Sequence, residues 1–108
     1  PTRALLQRFV LPKPGEGPTP AQQEAGFYDL RFFGTTPGGE KLQVRVTGDR
    51  DPGYGSTCKI LGEMAQCLAL DIGKDEKSGG FWTPATFGGD KLISRLIEHA
   101  GLTFSEVE

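Results

Sequence analysis

One histidine, one tryptophan, one methionine and two cysteines are all that this chain of 108 residues holds of several side chains used for metal and redox chemistry. His99 has no histidine or cysteine at ligand spacing, which excludes the usual zinc patterns. Cys58 and Cys67 fall in one helical segment, and at about 100° per residue they face opposite ways and cannot bridge each other. Both are expected to be small buried hydrophobes in a reducing compartment. No apolar run approaches the roughly 18 residues that span a bilayer, and no charged-then-apolar leader opens the sequence. Charge of one sign is not in excess either. The 12 basic and 14 acidic residues are scattered, which argues against a nucleic-acid groove and against a basic membrane-binding face. A soluble, cytoplasmic protein without nucleic-acid partners or metal is the expectation.

What is abundant is glycine, at 16 residues, with eight prolines. Four of those prolines stand between Pro12 and Pro20, in "LPKPGEGPTP", after a short apolar segment "TRALLQRFV" that can form two helical turns with Leu5, Leu6 and Phe9 on one side. Within residues 12–26 only "PAQQEA" favours a helix. Residues 1–26 are therefore read as a helix remnant and linker, and residues 27–108 as one α+β domain, with the whole cut from a longer protein.

From residue 27 the periodicity sharpens. Tyr28, Leu30 and Phe32 alternate with Asp29 and Arg31, and Leu42, Val44 and Val46 alternate with polar residues, with "TPGG" between the two runs. Period two on both sides of a glycine-rich turn predicts an antiparallel hairpin. Residues 57–70 carry Cys58, Leu61, Ala65 and Leu68 at helical spacing, widened by Ile60, Met64 and Cys67, with Lys59, Glu63 and Gln66 on the wet side. Gly62 inside that helix suggests a close approach by neighbouring backbone. "GFWTPATFGG" reads as a short extended piece, Asp90 as the cap of a second helix ended by Gly101, and "LTFSEV" as a last strand. The predicted architecture is α+β, a mostly antiparallel sheet with helices packed on one face.

"DPGYGST", residues 51–57, is the segment with chemical potential. It lacks the Walker A order, because Lys59 follows the hydroxyls, and it lacks the third glycine of a dinucleotide fingerprint, where Cys58 stands. Two readings remain open. The helix end, with the Ser56 and Thr57 hydroxyls beside it, holds a carboxylate or phosphate oxygen, or one of those hydroxyls merely caps the helix. Tyr54 divides in the same way between packing and ligand contact.

"GDRDPGYGSTCKILGEMAQCLALD" and "GGFWTPATFGGDKLISRLIEHAGLTF" resemble the C-terminal part of the saccharopine dehydrogenase-like oxidoreductases, in particular the trans-acting enoyl reductase subgroup. The resemblance implies a substrate-binding and dimerisation domain of an NAD(P)-dependent enzyme. The nicotinamide would be held by an N-terminal Rossmann domain absent from this chain, so that no cofactor is expected here and the isolated chain is expected to be inactive. A homodimer is among the implied assemblies. The implied substrate-binding residues are Tyr54, Gly55, Ser56 and Thr57, with Thr83 secondary. "GEM" at 62–64 stands where the saccharopine enzymes tend to carry Gly-x-Pro, which argues against an amino-acid substrate. The alternative is a non-catalytic ligand-binding or dimerisation module of the same ancestry.

Overall fold

The computed structural model describes residue 13 and residues 15–107, and the short helix expected over residues 2–10 lies outside them. Helix α1 (Pro20–Ala25) starts where the linker sequence left room for one. The Thr19 hydroxyl accepts from the Gln22 N–H, the Gln22 side chain accepts from the Thr19 N–H, and Pro20 needs no donor of its own.

Strands β1 (Tyr28–Thr35) and β2 (Lys41–Gly48) form the predicted hairpin, in register from Tyr28 opposite Gly48 to Thr35 opposite Lys41. Strand β3 (Leu102–Glu106) lies antiparallel on the other side of β2, so the sheet order is β1-β2-β3. Alternation then sorts the side chains onto two faces. Tyr28, Leu30, Phe32, Val44, Val46, Leu102 and Phe104 share one face. Asp29, Arg31, Phe33, Arg45, Thr47 and Thr103 share the other, where Arg45 donates both Nε and Nη2 to the Asp29 carboxylate at 3.0 and 2.9 Å.

Helix α2 (Gly55–Gln66) runs on into a wider π-helical turn at Cys67–Asp71, and helix α3 (Pro84–His99) returns across it. Cys67, Leu92, Leu96, Ala100 and Leu102 form the buried core, with Val46, Ile60, Met64, Ile72 and Phe104 packed against it. The fold is α+β, a three-stranded antiparallel sheet with helices over its apolar face. Gly101, at φ 72°, ends α3 as the sequence predicts. Among the described residues no helix is long and apolar enough to cross a membrane.

Several local expectations are corrected. The apolar face of α2 is turned from the predicted one: Ile60, Met64 and Cys67 point inward, while Cys58, Leu61, Ala65 and Leu68 are exposed. The reason is Glu63, read as solvent-facing, which is drawn inward by Arg95 of α3. Arg95 Nη1 donates to Glu63 Oε2 at 3.1 Å, Nη2 donates to Asp71 Oδ1 at 3.0 Å, and Nε bonds the second Asp71 oxygen. Lys59, one turn before Glu63 and also read as solvent-facing, pairs with Asp49 at 3.3 Å. No strand forms over residues 81–87, because Thr83 caps α3 and Pro84 takes its first position. Gly89, at φ 51°, breaks α3 into two helical segments, so that the second begins at Asp90 as the sequence predicts, while an additional first segment begins at the Thr83 cap.

Nothing approaches Gly62: a methyl group there would meet no atom within 4 Å. With no neighbour requiring glycine, the residue only weakens the helix. Gly62→Ala is expected to raise the unfolding free energy by about 1 kcal/mol, read from urea midpoints.

Candidate functional site

The turn before α2 is organised by Asp51. Its carboxylate accepts from three successive backbone N–H groups, those of Gly53 at 3.0 Å, Tyr54 at 2.9 Å and Gly55 at 2.8 Å, and its carbonyl accepts from Ser56 N at 2.9 Å. The N–H donors hold the Asp51 carboxyl below the usual carboxylate range, that of Tyr54 contributing most. Asp51 N donates to Gln23 O of α1 at 3.1 Å, which ties the linker helix to the same turn.

This geometry places each predicted site residue. Ser56 is 1% exposed and its hydroxyl is 2.8 Å from the Tyr28 hydroxyl on β1. The Thr57 hydroxyl donates to Pro52 O at 2.7 Å, and Gly55 is half-buried against Asp51. Neither hydroxyl caps the helix, so that reading is corrected: Asp51 supplies the cap from the residues ahead of α2. Tyr54 stands at the N-cap position without a side-chain cap bond, and its ring is 55% exposed. It borders two open cavities, one of about 400 Å³ lined by Glu16, Gly17, Pro18 and Gln22, the other of about 360 Å³ lined in part by Arg50, Gly55, Cys58 and Lys59.

The structure thus groups Tyr54, Gly55, Ser56 and Thr57 but keeps Thr83 apart. Thr83 caps α3 beside a third, apolar cavity of about 280 Å³ lined by Met64, Leu68, Gly80, Trp82, Pro84 and Phe87. Met64 lies near the far end of α2, a helix roughly 18 Å long, and Leu68 in the π-helical turn beyond it, so Tyr54 and Thr83 flank opposite ends of the helix.

A dinucleotide phosphate does not fit the Asp51 turn. The Asp51 carboxylate already accepts from the Gly53, Tyr54 and Gly55 N–H groups there, and an anion in that position would repel a second one. The sequence reading missed Asp51, although an aspartate followed by Pro-Gly is an Asx-turn signal.

Comparison with known proteins now bears on these observations. No family model matches the chain, and no solved structure does. Over 94 residues, 87% of this chain, it is 44% identical to a Mycobacterium tuberculosis protein that carries the trans-acting enoyl reductase name in provisional form. It is 38% identical over 96 residues to the trans-acting enoyl reductase of Mycobacterium ulcerans, and 37% over 94 residues to that of Mycobacterium bovis. The chain is homologous to one segment of these proteins. It spans only about a fifth of their length, 22% in each case.

Proposed function

We propose that this chain is the substrate-cleft and assembly domain of an NAD(P)-dependent oxidoreductase of the saccharopine dehydrogenase-like, trans-acting enoyl reductase type. Residues 27–108 form the domain and residues 1–26 its connection to the rest of a cytoplasmic enzyme. The observation that carries this reading is 44% identity along 87% of the chain to part of a longer protein bearing the enoyl reductase name. The outer surface of the helical layer supports it. Leu61, Leu70 and Phe81 are 69%, 71% and fully exposed, and Leu68, Trp82 and Ile97 are about half exposed, an apolar expanse suited to burial against another domain.

In this reading the nicotinamide belongs to a Rossmann domain elsewhere in the protein, and hydride transfer is that cofactor's chemistry. The part of this chain is to shape the cleft. Among Tyr54, Gly55, Ser56 and Thr57, the exposed ring of Tyr54 makes the substrate contact, and the other three hold it in place through Asp51, Tyr28 and Pro52. Thr83 serves a separate edge of the cleft beside the Trp82 cavity.

Two measurements test the proposal. The coding sequence upstream of residue 1 is expected to continue in frame through a strand followed by Gly-x-Gly-x-x-Gly; a start codon beside residue 1 with no such fingerprint upstream overturns the reading. Calorimetric titration of the 108-residue chain with NADPH is expected to give no saturable heat, and micromolar binding contradicts the assignment of the cofactor to another domain.

A further inference from the structure

Among the described residues strand β1 stands at the edge of the sheet, with eight residues and neither proline nor lysine, the devices that commonly block edge pairing. Its free hydrogen-bonding groups can be assigned. Thr36 N donates to Glu40 O across the hairpin, and Val107 N donates to Gln43 O on the other side of β2. Antiparallel ladders alternate, so the even-numbered residues of β1 point their N–H and C=O at β2, and Asp29, Arg31, Phe33 and Thr35 point theirs away from the sheet.

The sequence of this edge is nearly palindromic. "GFYDLRFFG", residues 26–34, reads backwards as "GFFRLDYFG". Two such strands laid antiparallel about Leu30 place Leu30 opposite Leu30, Tyr28 opposite Phe32, Phe27 opposite Phe33 and Asp29 opposite Arg31. Each of these pairs lies on one sheet face, and Asp29 with Arg31 is an outward-bonding pair on both strands, as the free N–H and C=O groups require. The alternative centred on Arg31 sets arginine against arginine.

The exposed groups match this partner. Phe27 and Phe33 are 78% and 76% exposed, and Leu30 and Phe32 are 49% and 55% exposed although they lie on the apolar face. Within the chain Arg31 stands directly opposite Arg45, a like-charge arrangement, and among the described residues it has no ion-pair partner. A second copy would bring its Asp29 to Arg31.

We propose that the partner of β1 is β1 of a second copy of this chain, joining two three-stranded sheets into one six-stranded sheet about a two-fold axis at Leu30. The proposal rests on the assembly half of the reading above and is tested by oligomeric state instead of nicotinamide binding. A monomeric chain would overturn it and leave the oxidoreductase reading standing.

Sedimentation of the 108-residue chain is expected to show a dimer. Arg31→Asp, which turns both cross-copy pairs into aspartate against aspartate, should weaken the dimer by about 30-fold. Compared at concentrations where both proteins are monomeric, the melting temperature of the variant should not fall, because the contact with Arg45 becomes favourable. Asp29→Arg alone should weaken the dimer as well, and an equimolar mixture of the two variants should form a heterodimer. In a Cys58→Ser background, Leu30→Cys should oxidise to a covalent dimer, because directly opposed residues at a non-hydrogen-bonded position lie about 4.5 Å apart at Cα, within disulfide reach. A chain monomeric at all concentrations, as when a strand from elsewhere in a longer protein takes this edge, overturns the proposal. So does a dimer indifferent to Arg31→Asp, or a Leu30→Cys chain that does not cross-link.

Discussion

Replacing Arg95 with leucine is expected to lower the melting temperature by more than about 10 °C at neutral pH. The guanidinium stands between two carboxylates whose side chains are largely withdrawn from water, Glu63 at 12% and Asp71 at 28% exposure, and is itself 17% exposed. Removing it leaves two negative charges close together with no counter-charge between them. Leucine keeps the hydrophobic stem, so the loss reports the charge more than the packing.

The pH dependence separates the two. Hydrogen bonds from Arg95 are the main reason that the Asp71 carboxyl lies below its ordinary range. A depressed folded value means that Asp71 stabilises the fold above the unfolded pKa of about 4, and that this contribution is lost as pH falls through the folded value. Without Arg95 the carboxyl instead gains by taking up a proton. Calorimetry of both proteins is therefore expected to show the widest gap in melting temperature near pH 7 and a narrowing gap below about pH 4. A gap that stays constant with pH would assign the loss to packing.

Gly48→Ala is expected to destabilise the chain by about 2–4 kcal/mol, measured by urea unfolding. Gly48 ends β2 directly opposite Tyr28, whose ring lies over it so closely that a methyl group would collide with the ring atoms. To make room the ring must leave, and the Tyr28 hydroxyl, the partner of the buried Ser56 hydroxyl, leaves with it. Overpacking and an unsatisfied buried oxygen then add. Tyr28→Phe, which loses only the hydroxyl, is the control and should cost about 1–2 kcal/mol.

These two sites mark where the sequence was and was not legible. The hairpin was, because period two and a Pro-Gly-Gly turn are local signals, and so were α1, Gly101 as the end of α3, and β3. The orientation of α2 was not. Leu61 and Leu68 occupy plausible core positions by spacing, yet a residue 32 positions away pulls Glu63 inward and turns them out. Periodicity cannot register an ion pair between helices. Residues 81–87 misled for a related reason: Pro84 is as compatible with the first turn of a helix as with an edge strand, and the deciding contact is the Thr83 cap.

In the candidate site the residue that organises the turn is Asp51, whose carboxylate lies beside the helix end that carries the Ser56 and Thr57 hydroxyls. An acidic residue that folds back on the helix end three or four residues later is detectable in principle from Asp-Pro-Gly. The seclusion of Ser56 is not, since it depends on a tyrosine across the fold.

The π-helical turn after α2 carries one more residue than an α-helical path would between Cys67 and Ile72, whose N–H reaches back to Cys67 O at 3.2 Å. That surplus residue sets the azimuth of Asp71. Trimming the segment to regular spacing would swing the carboxylate by about 100° around the helix axis, away from Arg95. Chain length at this point is thus a fixed quantity for the fold, whatever side chains fill it.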